Sequence, residues 1–167
     1  MSIHIREAIK ADMDEIVFMM NHFQDHMESC NPNIWHITVD GRDAIPDRVD
    51  DMLSSIRKTF IAEMSNNIIG FAHCHVERRI NYYPGTVGYL DMLYVKKNNR
   101  RKGGASKLIH RVCNYFTNEH VLEVNLRYVV DNVEAETLWS SLGFKPVIIT
   151  VNVNLELLKN KISNKIE

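Results

Sequence analysis

The chain has 167 residues, of which 45% are hydrophobic and 25% charged, as in ordinary globular proteins. Its formal net charge of -1 creates no overall positive field that would attract nucleic acid or an acidic membrane. Three cysteines without a C-x-x-C pair argue against a disulfide framework and favour a reducing cytoplasm. No secretory signal is evident, and no apolar run approaches the roughly 18 residues that span a bilayer. We expect one cytoplasmic domain, residues 1–167.

The first part of the chain predicts a strand at residues 3–7 and then two helices. Asp12 is a candidate N-cap for the first helix. Apolar residues at helical spacing predict that this helix extends to about residue 23. Residues 25–43 lack a clear period and predict a long loop or broken helix. Pro46 suits the first turn of the second helix.

The middle of the chain predicts paired strands. Residues 59–64 and 68–78 flank a short polar turn, Ser65-Asn66-Asn67. A second turn at Pro84-Gly85 precedes residues 87–95, whose few charges favour a central strand.

The last part predicts helices and strands in alternation. One helix has an apolar face formed by Ala105, Leu108, Ile109, Val112, Cys113 and Phe116. A strand at 121–130 follows, then a helix at 132–142 that Gly143 ends. Residues 144–155 alternate apolar and polar and predict a last strand, and the tail from 158 predicts a frayed helix. The order indicates a mixed α/β fold with helices on both faces of a sheet.

Residues 96–109, KKNNRRKGGASKLI, combine positive charge with a predicted helix start. Helix N-termini bind phosphates where the backbone is accessible, which Gly103 and Gly104 permit. Neither the P-loop pattern nor the dinucleotide fingerprint G-x-G-x-x-G matches. The alternatives are a diphosphate cradle, a solvated helix start with no binding role, and a basic patch for nucleic acid, which the net charge disfavours.

Two motifs then narrow the choice. Arg100-x-x-Gly103-x-Ala105, after the apolar strand LDMLYV, resembles the acyl-CoA pyrophosphate loop of the GNAT superfamily of N-acetyltransferases. DNVEAETLWSSLGFK resembles the second GNAT signature through Asn132, Ala135, Leu138, Gly143 and Phe144. The resemblance implies a mostly antiparallel, twisted sheet of about six to seven strands and acetyl-CoA as co-substrate.

The resemblance also implies roles for individual residues. The pyrophosphate would bind the loop that Arg100 begins, and the pantetheine arm would pair with the end of the central strand. Asn132 matches a cofactor contact, although it also suits a helix N-cap. Trp139 stands where the family commonly has a tyrosine general acid, and an indole has no suitable acidity, so the acid stays unassigned. The implied cofactor-binding residues are Leu93, Tyr94, Val95, Arg100, Arg101, Lys102, Gly103, Gly104, Ala105, Ser106, Asn132 and Trp139.

A base is useful because the attacking amine must be neutral. Asp91 is the candidate, since an acid in this otherwise uncharged strand needs a polar cleft or a partner. The alternative is that Asp91 faces solvent or pairs with a histidine or arginine of a neighbouring strand. His73 and His75 share one strand face and could line the acceptor cleft, supply the base, or face solvent. Two histidines make no metal site, so no metal is predicted.

The resemblance implies that the first two helices and the loop between them shape the acceptor pocket, where Trp35 and acidic residues would favour a cationic amine. The primary hypothesis is acetyl transfer to a primary amine, of a small molecule or an exposed amino group, by direct attack. An acyl-CoA-binding sensor without turnover is the alternative. A homodimer through residues 147–155 stays open, and we expect no nucleic-acid or membrane partner.

Overall fold

The computed structural model describes residues 2–166, which form two compact units that divide between Asn132 and Val133. The first unit contains a five-stranded sheet in sequence order. Its first three pairings are antiparallel, and the last, between β4 and β5, is parallel. The strands are β1 Ile3–Glu7, β2 Lys58–Met64, β3 Asn67–Arg78, β4 Thr86–Val95 and β5 Glu123–Leu126.

Helices complete both units. The first unit contains α1 to α5, together with 3-10 turns at Lys10–Asp12 and Lys97–Asn99, and the second contains α6 and α7. No helix within residues 2–166 is long and apolar enough to cross a bilayer. The bounds are α1 Met13–Cys30, α2 Pro32–Trp35, α3 Val39–Asp43, α4 Ile45–Ser54, α5 Gly104–Asn118, α6 Val133–Ser141 and α7 Leu155–Ile166.

The core of the first unit lies on both faces of the sheet. On one face, α1 and α4 bury Ile16 and Val49 in a cluster with Phe71 of β3. On the other face, α5 packs across the strands through Leu108, Val112 and Phe116, which repeat every four residues. Gly88 of β4 permits this close approach, because a Cβ there would lie 2.7 Å from the Phe116 ring.

Several predicted elements are confirmed, and others differ in extent. The predicted mixed α/β fold with a mostly antiparallel sheet is confirmed. The sheet has five strands rather than six to seven, because residues 144–154 join no ladder in the described chain. The strand predicted at 121–130 is present but shorter, as β5. Alternating apolar and polar residues indicate which face a strand would bury, but they do not show that another strand is available to pair with it. The prediction of a single domain that spans residues 1–167 stays a prediction.

Two further details correct the sequence analysis. Residues 25–43, predicted as a long loop or a broken helix, are a broken helix that comprises the end of α1 and the short helices α2 and α3, and α1 continues to Cys30 instead of ending near residue 23. Cys113 was expected on the apolar face of α5, yet it is exposed. The buried stripe of that helix is narrow, and Cys113 lies one position beyond it.

Asp12 holds β1 to the start of α1 through a buried ion pair. Its carboxylate accepts two hydrogen bonds from the Arg6 guanidinium, at 2.7 and 2.8 Å, and a third from the Ile9 N–H at 2.8 Å. Arg6 also donates to Glu63 on β2 at 2.8 Å. Asp12 therefore occupies the predicted N-cap position, but its side chain bonds backward to β1 instead of capping α1. The hydrogen bonds from Arg6 lower the pKa of Asp12.

We predict that Asp12→Asn lowers the free energy of unfolding at pH 7 by about 1.5–3 kcal/mol, because a charge-assisted hydrogen bond is lost. A carboxyl with a lowered folded pKa stabilises the protein above its unfolded pKa, and that stability is lost as pH falls through the folded pKa. Urea unfolding between pH 2 and pH 7 should therefore show a flatter acid limb for Asp12→Asn than for wild type. Asp14→Asn, on the exposed side of the same helix, is the control, and equal acid limbs in wild type and Asp12→Asn would contradict the prediction.

Candidate active site

The pairing between the parallel strands β4 and β5 ends halfway along β4. They pair from Val87 with Glu123 to Leu90 with Leu126, and within the described chain the pairing ends there. β4 continues to Val95, still paired with β3 on its other side. The last residues of β4 therefore have one edge that pairs with no strand of the described chain, and we refer to the space beside this edge as the cleft.

The hydrogen-bond alternation of β4 determines which groups face this cleft. The Lys96 N–H donates to the Ile69 carbonyl of β3 at 2.9 Å, so the alternate residue Tyr94 also directs its peptide groups towards β3. Leu93 and Val95 then direct theirs towards the cleft. The Tyr94 ring packs near Phe71 in the core, and burial raises the pKa of its phenol.

β4 leads directly into a tight loop and the start of α5. Arg100 folds back so that its Nε donates to the Val95 carbonyl at 3.1 Å. Arg101 and Gly103 adopt positive φ angles of 61° and 87°. The first bond of the helix runs from the Lys107 N–H to the Gly103 carbonyl, so the preceding N–H groups have no acceptor inside the helix. Those groups belong to Gly104, Ala105 and Ser106.

The lysines around this loop mostly bind the protein itself. Lys102 Nζ donates to the Asn98 carbonyl at 2.9 Å, and Lys107 Nζ donates to the Ile3 carbonyl at 2.9 Å. Lys96 Nζ lies 2.5 Å from the Glu15 carboxylate of α1. An anion at this helix start would therefore be bound largely by backbone N–H groups.

Asp91 lies at an irregularity in β4, on the same stretch as the cleft. Leu90 pairs with Cys74 and Met92 with His73, so Asp91 has no partner in the β3 register. Its Oδ2 lies 2.6 Å from Nδ1 of His75, and both side chains are about three-quarters buried. The His75 ring stacks on Tyr89, with centroids 4.9 Å apart and planes 6° from parallel.

Comparison with known proteins places this arrangement in a family. A model described as the Acetyltransferase (GNAT) family matches residues 20–144, well over half of the chain. The chain belongs to the GNAT acetyltransferase family. A search of curated sequences finds no match.

Solved structures share the fold of this GNAT acetyltransferase at low sequence identity. An aminoglycoside N-acetyltransferase AAC(6')-Iy in complex with CoA is 22% identical, with a TM-score of 0.68 over 92% of this chain and 94% of that chain. A tetramutant of the BH1408 protein from Bacillus halodurans is 17% identical, with a TM-score of 0.80 over 91% and 99%. A ribosomal-protein-alanine N-acetyltransferase from Brucella melitensis biovar Abortus 2308 is 13% identical, with a TM-score of 0.69 over 92% and 100%.

The residues of this acetyltransferase fit the diphosphate and pantetheine parts of CoA. A Cβ built on Gly103 would meet nothing within 4 Å, so the surface above the loop is open to a ligand. The N–H groups at the start of α5 suit a diphosphate. The peptide groups of Leu93 and Val95 suit an extended amide-bearing arm.

His73 and Cys74 lie deeper in the sheet than His75. His73 is 2% exposed, and its Nδ1 lies 2.8 Å from the Thr59 hydroxyl oxygen. Burial lowers the pKa of His73 to about 4, so this imidazole is neutral at pH 7. Burial also raises the pKa of Cys74 to about 12, which leaves its thiol a poor nucleophile. Both histidines were predicted to line the cleft, and His75 is the one that contacts Asp91.

The acidic residues of α1 have partners of their own. Arg42 of α3 lies 2.9 Å from Asp25, and His36 Nδ1 lies 2.5 Å from Glu28. These pairs join α1 to the segment after it and reduce the negative charge available to a cationic acceptor. Trp35 is 43% exposed at the end of α2, and its carbonyl accepts a hydrogen bond from Gln24.

The second motif spans the division between the two units. Asn132, the last residue of the first unit, directly precedes α6, and its N–H donates to the Val129 carbonyl at 3.1 Å. Trp139 lies in α6 and contacts Phe144 edge-to-face, with ring centroids 5.5 Å apart. Gly143, with a φ of 88°, ends the helix as predicted.

Sequence reasoning missed two contributors to the site. Tyr89 supports the His75 ring, and the spacing of Tyr89 and Asp91 on one strand was the available signal. Glu15 was missed because its contact with Lys96 joins an early helix to a much later loop, and no local pattern predicts such a pair.

We predict that Gly103→Ala weakens CoA binding about tenfold, because a left-handed φ costs an alanine roughly 1–2 kcal/mol and the loop would relax away from its binding conformation. Gly143→Ala is a matched control, since Gly143 has nearly the same φ and equally open space around it. Calorimetric titration with CoA measures both variants. Equal affinity in the two variants would argue against the loop as the diphosphate site.

A second prediction concerns the contact between Lys96 and Glu15. Glu15→Gln should weaken CoA binding about two- to fivefold, because a partly exposed ion pair contributes roughly 0.2–1 kcal/mol to holding the loop. The effect should shrink as salt rises, and the charge-reversed pair Glu15→Lys with Lys96→Glu should recover affinity. Asp50→Asn, which removes the exposed pair of Lys10 with Asp50, is the control. Failure of the reversed pair to recover affinity while Glu15→Gln weakens it would rule out the charge contact as the cause.

Proposed function

We propose that this protein transfers an acetyl group from acetyl-CoA to a primary amine by direct attack of the amine nitrogen. The acceptor would be a small molecule or an exposed amino group. The observation that carries the proposal is the continuity of three features along β4. A partly buried polar pair, Asp91 with His75, is followed by cleft-facing peptide groups and then by the open helix start at Gly103.

Binding and positioning would account for much of the rate. The loop around Gly103 would hold the diphosphate, and Leu93 and Val95 would align the extended arm along β4. Acetyl-CoA, when bound, supplies an activated acyl carbon. Holding the amine beside it converts a bimolecular encounter into a reaction between neighbours, which is worth several kcal/mol.

Proton transfer is the remaining requirement. Alkylamines are mostly protonated at neutral pH, so the attacking nitrogen must lose a proton. The pair of Asp91 and His75 is a polar group beside the cleft that can receive it. The thiol that departs is acidic enough, with an ordinary pKa near 8.5, to leave without a dedicated acid. The absence of a tyrosine at Trp139 is therefore compatible with turnover.

Neither of the two cysteines on β3 and α5 is suited to form an acyl-enzyme, which favours direct attack. Cys74 is fully buried and its thiol pKa is raised to about 12. Cys113 is exposed on α5, which packs on the sheet face opposite to α1. Neither thiol supplies a nucleophile beside Asp91.

We expect the purified protein to release CoA thiol from acetyl-CoA only when a suitable amine is present. The panel should contain polyamines, aminoglycosides, amino acids and peptides with free N-termini or lysines, because similar structures include small-molecule and protein acetyltransferases. Mass spectrometry should show one acetyl group added to the accepted amine. Tight CoA binding without turnover of any amine would instead favour an acyl-CoA sensor.

A further inference from the structure

We propose that His75, rather than Asp91, removes the proton from the amine, and that Asp91 acts as a positioning residue for the His75 ring. The inference rests on the proposed function and names the proton acceptor within it. It depends on the 2.6 Å contact between Asp91 and His75, on the Tyr89 stack, and on the different burial of the two histidines.

The contact with Asp91 determines which nitrogen of His75 is available. An ionised carboxylate only accepts hydrogen bonds, so the proton of a neutral His75 lies on Nδ1, which faces Asp91 Oδ2. Nε2 then carries the lone pair. Within residues 2–166 Nε2 has no hydrogen-bond partner, and the side chain is 24% exposed.

Tyr89 fixes the plane of the ring. The two rings lie nearly parallel at a centroid separation of 4.9 Å, which opposes rotation of the imidazole about its χ2 bond. Interaction with the Glu77 carboxylate, together with burial, raises the pKa of the Tyr89 phenol. The imidazole is thus oriented by a carboxylate at one edge and an aromatic ring on one face.

The alternatives are less suited to the task. Asp91 already uses one oxygen in a short hydrogen bond, and carboxylates as a class are weaker proton acceptors than imidazoles near neutral pH. His73 is buried, bonded to Thr59, and has a pKa lowered to about 4. His75 alone combines exposure with an oriented acceptor nitrogen. The titratable and charged groups around it are Asp91 and Tyr89 on β4, His73 and Glu77 on β3, and Arg57, which acts on the His73 site.

The step balances without any further reactant. A substrate that arrives as an ammonium ion first passes one proton through His75 to water. The neutral amine nitrogen then forms a C–N bond to the acetyl carbon, and the C–S bond breaks with its electron pair leaving on sulfur. One proton passes from the amine nitrogen to Nε2 of His75. The imidazolium then returns that proton to the thiolate or to water, which regenerates the neutral ring.

The test compares His75→Gln and Asp91→Asn with His110→Gln, an exposed histidine on α5 that serves as the control. With an amine from the panel, kcat should fall about 100-fold or more in His75→Gln, because general base catalysis contributes roughly 10²–10⁴. The acid limb of the kcat/KM profile should disappear with it. Asp91→Asn should lower kcat but keep an acid limb, and His110→Gln should match wild type. CoA affinity by calorimetry should stay unchanged in all three.

A readout in the free protein separates positioning from activity. Long-range ¹H–¹⁵N NMR spectra should show neutral His75 with its proton on Nδ1 in wild type, and a mixture of both tautomers in Asp91→Asn. An acid limb that survives His75→Gln and vanishes in Asp91→Asn would make Asp91 the base. A neutral His75 with its proton on Nε2 in wild type would also overturn the proposal. Failure of wild type with every amine would reject the proposed function, whereas the tautomer measurement would still decide the Asp91 contact.

Discussion

The one-sided pairing of β4 is the constraint on which the candidate site depends. A central strand normally satisfies its peptide groups on both edges, but beyond Leu90 this strand pairs, among residues 2–166, with β3 alone. The unpaired edge is tolerable because it borders a cleft, where water or a ligand can complete the hydrogen bonds. The sheet thus presents a short row of ordered peptide groups that a flexible loop could not hold in register.

The same strand positions the polar pair. The register of β4 shifts opposite His73 and Cys74, so that Asp91 has no direct partner on β3. Its carboxylate instead contacts His75. Irregularities of this kind re-aim a side chain near functional sites. Two histidines separated by a single residue then acquire different properties. His73 is enclosed beneath the helices and bonded to Thr59, whereas His75 lies where the strands extend past the buried core.

Local sequence patterns predicted much of this structure, and long-range partners account for the rest. The apolar periods of α1 and α5, and the turn at Ser65-Asn66, are properties of neighbouring residues and were found correctly. The partner of Asp91 could only be narrowed to a nearby histidine or arginine, since strand register is not visible in the sequence. The alternating segment 144–154 shows the limit most clearly, because alternation without a partner edge does not make a strand.

The loop after β4 shows why its charges are poor guides to its chemistry. Seven residues, 96–102, contain five that are Lys or Arg, which first indicates an electrostatic site. In the structure, Lys96 pairs with Glu15 of α1. Lys102 donates to a carbonyl within the loop, and Arg100 donates to the Val95 carbonyl at the end of β4. These three cations hold the loop that leads into α5, whose first N–H groups have no acceptor inside the helix. A diphosphate would then be recognised by the geometry of the main chain, with Gly103 keeping the approach open. Substitutions that preserve charge but alter backbone freedom would, on this reasoning, damage binding more than substitutions that do the reverse.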